Sequence, residues 1–280
     1  MDDHFRAFSF VDRIISVETG RRIHGQYAIP ATVDSFPASL ITEAVGQLAA
    51  WCAMSALNFK CRPVAGIAGN IEILEPVRPG QMLELAAELE TLDPQAVAYG
   101  GTASSDGVPL IRLEHCVGPM LALEMFDDPQ ALRDRFALLC GNGASPGVFG
   151  GVPPVALEPT GGETGQWLRA AFRVPESAPF FADHFPRHPV FPGTLLMNAN
   201  LQLAATLAGQ IPTPVADASW SVRAVSDVKL RAFIRPGESL ELEVRLMERS
   251  GNTATLTIAI QRGKRAVGGA RVSFSTEARP

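Results

Sequence analysis

Hydrophobic and polar positions follow two different periods along this chain. Between Ala38 and Leu57 the apolar residues Leu40, Ala44, Leu48 and Ala49, and likewise Val45, Cys52 and Ala56, recur every three or four positions. That spacing builds one buried helix face. A second apolar segment, Thr194 to Gly209, reads as another long helix. Elsewhere the period is two. Leu240 to Leu246 and Ala254 to Ile260 alternate apolar with polar residues, as half-exposed antiparallel strands require. Further strand-like stretches cover about Phe10–Val17, Arg21–Ile29, Asn70–Val77, Met82–Thr91, Val97–Ala103 and Val108–Val117, and Asp127–Leu139 reads as a short amphipathic helix. Arg78-Pro79-Gly80 and Arg235-Pro236-Gly237 put proline and glycine where a type II turn wants them, and are expected to join strands into hairpins. Residues Gly141 to Gly162 are rich in Gly and Pro without any period, and predict a surface linker.

The pattern repeats. Phe36-Pro37-Ala38-Ser39-Leu40-Ile41-Thr42-Glu43 lies against Phe191-Pro192-Gly193-Thr194-Leu195-Leu196-Met197-Asn198 at a constant shift of 155, with Gln47 on Gln202. Glu18-Thr19-Gly20 matches Glu163-Thr164-Gly165 and Tyr27-x-x-Pro30 matches Phe172-x-x-Pro175 at a shift of 145. The two Arg-Pro-Gly turns match at 157. The repeat divides the 280 residues into an N-terminal unit, 1–140, a linker, 141–162, and a C-terminal unit, 163–280. The ten-residue change in shift falls on a loop that the second unit has and the first lacks.

Composition narrows the class. Hydrophobic content of 46% and charged content of 19% suit a well-packed core. The helix from Ala38 is apolar enough to resemble a membrane span, but Glu43 and Gln47 in its middle argue for a core helix. A net charge of −5 argues against a nucleic-acid partner. Met1-Asp2-Asp3-His4 does not resemble a signal peptide, and the four cysteines, Cys52, Cys61, Cys116 and Cys140, show no metal-ligand spacing. A cytoplasmic location with reduced thiols is the expectation.

The extra loop carries the candidate chemistry. His184-Phe185-Pro186-Arg187-His188-Pro189-Val190-Phe191-Pro192-Gly193 puts an imidazole on a proline-stiffened loop, nine residues ahead of a Pro-Gly helix start. Pro192 suits a first-turn position, and Gly193 lets backbone come close to a ligand. Amides at that helix end carry positive partial charge and stabilise an oxygen that turns negative during reaction. A proton-transfer residue thus stands beside an oxyanion-binding end.

This string resembles the signature of the FabA/FabZ-type beta-hydroxyacyl-carrier-protein dehydratases, His-Phe-Pro-Gly-His-Pro-Val-x-Pro-Gly followed by a long helix. It departs at Arg187 and at Asp183, where the family has Gly, and at Asn198, where the family has a helix carboxylate fourteen positions after the histidine. By the repeat, Glu43 occupies that acid position in the first unit. The resemblance implies an α+β double hotdog: two tandem hotdog repeats, each an antiparallel sheet around a central helix, forming a pseudo-dimer. It implies one composite site, with His184 as base and Glu43 as acid, and a degenerate counterpart at Asn198. The Gly193 amide would hold the thioester carbonyl oxygen and the Val190 carbonyl would set the imidazole tautomer. Phe185, Phe191, Pro192 and Gln47 would line the substrate, while His188 braces the loop.

The activity so implied is loss of water from a 3-hydroxyacyl thioester, giving the trans-2-enoyl thioester in fatty-acid or polyketide assembly. It calls for no metal or organic cofactor, the substrate riding on phosphopantetheine of an acyl carrier protein or on CoA. The resemblance leaves a monomeric pseudo-dimer and a higher homo-oligomer of it both open. Because carrier proteins are acidic, Arg187, Lys229, Arg231 and Arg235, with Arg223 nearby, are candidate docking cations. Two other classes stay open: a hotdog acyl-thioester hydrolase using Glu43 to activate water, and a catalytically silent acyl-carrier-binding subunit.

Overall fold

The computed structural model describes residues 4–146, 149–152, 156–214 and 217–278. Its strands are β1 (Arg13–Glu18), β2 (Arg22–Ala28), β3 (Cys61–Pro63), β4 (Ile67–Ile73), β5 (Met82–Leu92), β6 (Ala96–Ser105), β7 (Val108–Ala122), β8 (Leu157–Glu163), β9 (Trp167–Arg173), β10 (Ala218–Leu230), β11 (Ser239–Ser250), β12 (Thr253–Arg262) and β13 (Arg265–Ala278). Its α-helices are α1 (Ala38–Ala56), α2 (Pro129–Cys140) and α3 (Gly193–Ala208).

One antiparallel sheet runs in the order β1-β2-β5-β6-β7-β4-β10-β13-β12-β11-β9-β8, with β3 paired to β7. The order reads as the same path from either edge, meeting where β4 pairs with β10 through Ala224↔Glu72 to Lys229↔Ile67. The chain has a hotdog fold, a curved antiparallel sheet around a long helix: α1 packs on β2, β5 and β6, and α3 on β9, β10, β11 and β12. The expected helix faces are inside. Leu40, Ala44, Val45, Leu48, Ala49 and Cys52 are buried, while Ala56, near the last turn, is half-buried. On β11 and β12 the alternation points Leu240, Leu242, Val244, Ala254, Leu256, Ile258 and Ile260 inward. Among the described residues no helix is long and apolar enough to cross a membrane.

Matched positions recur in both halves. Gly20 and Gly165 turn β1 into β2 and β8 into β9 at φ 74° and 70°. The register of β5 on β6 shifts between Leu89 and Thr91, and that of β11 on β12 between Leu246 and Glu248, at the same offset of 157. Gly80 and Gly237 adopt φ 86° and 77°. With Gln81 N–H donating to Arg78 O and Glu238 N–H to Arg235 O, these are the type II turns expected.

Two expectations are corrected. The Arg-Pro-Gly turns do not close hairpins, because β4 lies next to β7 and β10, and β5 next to β2 and β6. Each turn instead launches a strand that pairs elsewhere. The linker also ends early: β8 takes up Leu157–Glu163, paired with β9 from Leu157↔Phe172 to Glu163↔Trp167. Its Gly161 and Gly162 hid a strand from a reading by composition. α2 is where the amphipathic pattern placed it, capped by Asp128, whose carboxylate accepts from the amides of Gln130 and Ala131.

Candidate active site

The loop before α3 is tied by its own backbone. After a 3-10 turn at Pro179–Ala182, His184 N–H donates to Phe180 O at 2.9 Å, Val190 N–H to His184 O at 3.2 Å and His188 N–H to Phe185 O at 3.0 Å. His184 Nδ1 stands 3.2 Å from the Val190 carbonyl. A carbonyl only accepts, so Nδ1 carries the proton and Nε2 keeps a lone pair. The imidazole stacks on Phe185, with centroids 4.2 Å apart, and meets the edge of Phe8. Burial lowers its pKa below the ordinary histidine value. The charge of Glu43 opposes this and that of Arg62 adds to it. The ring is therefore neutral near pH 7, the form a base needs.

Both loop residues that depart from the dehydratase signature are tethers to the first half of the chain. The Asp183 carboxylate accepts from the amides of Phe5 and Phe8, which holds the N-terminal segment over the loop. Burial raises its pKa, and these amide bonds work against that. Arg187 donates from Nη1 to Glu124 O at 3.1 Å and from Nη2 to Asp128 at 2.9 Å. His188 packs between Phe126 and Phe233 as a brace.

Glu43 comes from the second turn of α1. One carboxylate oxygen accepts from Gln47 Nε2 at 3.0 Å and the other from Thr194 Oγ1 at 2.7 Å. Gln47, one turn on, also binds the Phe8 carbonyl and the Phe10 amide. It therefore aims Glu43 and fastens the N-terminal segment together. Thr194 is the second residue of α3, so the acid of one half is held by the helix start of the other.

That helix start differs in one detail from expectation. Pro192 is the N-cap, with φ −57° and ψ 130°, and Gly193 is the first helical residue. The Gly193 amide is thus among the donors that no helical carbonyl can reach. A Cβ on Gly193 would lie 2.5 Å from Leu230 Cδ1, so a larger residue would push the tip of the Leu230 side chain aside.

A cavity of about 220 Å³ joins these groups, lined by Glu43, Gln47, His184, Phe185, Gly193 and Thr194 among mostly apolar neighbours. Phe185 and Gln47 line it as expected. Phe191 and Pro192 do not. Phe191 points into the second half's core, 5.4 Å from Phe172 and 5.7 Å from Phe180, because its amide is pinned to Ile234 O at 2.7 Å. Asn198 is buried but is absent from the cavity wall. Among the docking candidates, Lys229, Arg231 and Arg235 are exposed. Val228 and Leu230 line the cavity, so the strand period turns Lys229 to the opposite face. Arg223 donates to Ser275 Oγ at 2.9 Å.

Pattern reading missed Arg62, whose side chain lines the cavity and stacks on Phe185 at 3.9 Å. A lone base in the apolar run Cys61 to Ile67 was the available signal. Tyr99 and Cys116 lie in the wall too, and burial raises the pKa of each. Among the described residues no cluster of His, Cys, Asp and Glu has metal-binding geometry.

Comparison with known proteins gives a consistent answer. Residues 162–270 match the family described as ApeI-like, ApeI dehydratase. The 3-hydroxyacyl-[acyl-carrier-protein] dehydratase FabZ of Pasteurella multocida is 31% identical over 103 residues, 36% of this chain and 68% of that protein. The enzyme of the same name from Albidiferax ferrireducens is 37% identical over 87 residues, 30% of this chain and 58% of that protein. Alignment thus spans about two thirds of one relative and little more than half of the other. Over nearly the whole chain, the fold resembles the tesB protein of Mycobacterium avium subs paratuberculosis, with a TM-score of 0.56 and 12% identity over 94% of this chain and 96% of that one. It also resembles the bifunctional dehydratase-cyclase domain of ambruticin biosynthesis, with a TM-score of 0.50 and 15% identity over 97% and 96%. With the histidine loop, the helix start and these relatives taken together, the chain belongs to the FabZ-type 3-hydroxyacyl-[acyl-carrier-protein] dehydratase family.

Proposed function

We propose that this chain eliminates water from a 3-hydroxyacyl thioester at one composite site built from two tandem hotdog repeats. The observation that carries the reading is that His184 from the second half and Glu43 from the first border one cavity, with Thr194 bonded to Glu43 across the junction. In this reading residues 1–140 form the first repeat, and the second begins at β8, after a shortened linker.

The mechanism follows from the positions. His184 Nε2 takes the proton from the carbon next to the thioester carbonyl. The Gly193 amide and the helix end bind the carbonyl oxygen as it gains charge, a contribution of about 3 kcal/mol for one such donor. Glu43 gives a proton to the C3 hydroxyl, which leaves as water, and the trans-2-enoyl thioester remains. Thr194 and Gln47 fix the carboxyl group, and no cofactor takes part. The acyl group arrives as a carrier-protein or CoA thioester. Of the docking candidates, Arg187 is already paired with Asp128 and Lys229 faces away from the cavity, while Arg231 and Arg235 are exposed.

The test is product analysis. Incubated with a 3-hydroxyacyl-pantetheine thioester, the protein is expected to yield the enoyl thioester, and His184→Ala to lose about 10²- to 10⁴-fold in rate, the usual span for a proton-transfer group. Release of free acid instead would mean hydrolysis. No turnover in either direction would mean a silent binding subunit.

A further inference from the structure

We propose that Arg62 recognises an oxygen on the acyl chain, so that the cavity prefers acyl thioesters bearing a carboxylate or carbonyl group over plain alkyl chains. The proposal rests on the acyl-thioester reading of the cavity and narrows its substrate class.

Arg62 sits on β3, at the edge of β7, opposite Leu121. The Phe185 ring covers one face of its guanidinium at 3.9 Å. Its Nε and Nη1 are buried without a hydrogen-bond acceptor. The nearest anion is Asp127, with Oδ2 3.8 Å from Nη1, too far for a hydrogen bond. Asp127 is already engaged: His4 Nε2 lies 3.1 Å from Oδ2, and the Asp128 amide donates to Oδ1 at 2.7 Å. Glu43, which also faces Arg62 electrostatically, has Gln47 and Thr194 on its two oxygens. Burial pushes the Arg62 pKa down to about 10, against the pull of Asp127 and Glu43, so the group stays charged at neutral pH.

A guanidinium has five donors and no acceptor, and burying it with donors unmet is costly. The side chain keeps 13% exposure and lines the cavity; Nη2, unlike Nε and Nη1, is not closed off, so it is the donor that faces the space the acyl chain would fill. An alkyl chain would leave Nη2 unmet and seal it from water as well. An acceptor oxygen in the cavity would satisfy Nη2, and a carboxylate would also match the charge of the guanidinium. Stacking on Phe185 alone explains the orientation of Arg62 but not why a cation rather than an apolar residue lines an apolar wall.

The experiment is calorimetric binding of unreactive pantetheine thioesters to the full chain. Succinyl, glutaryl, adipoyl and 5-oxohexanoyl probes are compared with butyryl, pentanoyl and hexanoyl controls of equal length. At least one oxygenated probe is expected to bind tenfold or more tighter than its control, and Arg62→Met to bring that ratio close to one, with Arg62→Lys retaining part of it. A winning carboxylate or a winning ketone separates charged from neutral recognition. The proposal is overturned if no oxygenated probe beats its control, which needs no variant, or if the ratio survives Arg62→Met. Equal weakening of probe and control by Arg62→Met also overturns it, since that is what a mere brace for Phe185 predicts. Binding requires no turnover, so a protein that selects oxygenated probes yet forms no enoyl product would sink the dehydration reading alone.

Discussion

The two corners where α1 and α3 approach each other are made from matched sequence positions, and only one is equipped for chemistry. At the first, Thr194 bonds Glu43, Gln47 makes three hydrogen bonds, and the histidine loop closes the cavity. At the second, Ser39 is the counterpart of Thr194 by the repeat; it is buried with its hydroxyl unpartnered, and it reaches the wall of the Glu43 cavity without bonding the acid. Asn198 replaces Glu43, and Gln202, the counterpart of Gln47, is exposed. Matched backbones therefore do not imply matched sites. What separates the corners is a ten-residue loop and an exchange of carboxylate for amide, which removes a transferable proton while leaving the packing of the helix intact.

The comparison breaks most directly through its carboxylate. Glu43→Gln is expected to lower dehydration by about 10²-fold or more, in line with loss of a proton-transfer group, while Asn198→Ala stays near the parental rate. Equal losses, read by enoyl formation, would place the acid in the wrong half. The helix starts offer a smaller contrast. Thr194→Val removes a hydrogen bond from Glu43 and should cost about 1 kcal/mol of transition-state stabilisation, roughly fivefold in kcat/KM. Ser39→Ala removes a buried hydroxyl in the cavity wall that has no partner, and is expected to lower kcat/KM less than Thr194→Val and to leave thermal stability equal or slightly higher. The smallest effect is in the pH profile. Because burial lowers the His184 pKa, the neutral base persists as pH falls through the ordinary histidine value of about 6.5. The acid limb of kcat/KM is thus expected below that pH. Arg62→Met removes a cation that favours the neutral ring, so it should move the limb upward; a downward shift would contradict the arrangement.

Much of this was legible before folding. Local rules sufficed for α1 and α3, for the alternation on β11 and β12, and for Gly80 and Gly237. A helix face, a strand face and a left-handed turn each depend on residues only a few positions apart. The histidine loop was legible from its residues, while the replacement at Asn198 was legible only through the resemblance to the dehydratase signature. Less visible were β8, masked by Gly161 and Gly162, and the partners of the strands beside the Arg-Pro-Gly turns, since pairing is not a local property. Phe191 looked like a substrate contact because it sits within the motif, but its amide bonds Ile234 O in the connection from β10 to β11, and its ring lies in the core.

The amino-acid sequence by itself determined the two long helices, the alternating strands, the repeat and the chemical identities at positions 43, 184, 193 and 198, because those rest on local periodicity and side-chain type. The tertiary structure alone decided which of them share a cavity. It also decided that Asp183 and Arg187 bind the loop to the first half, and that Arg62 faces the same space with its donors unmet. Those contacts join residues from opposite halves, and they exist only once β4 and β10 have paired to make one continuous sheet.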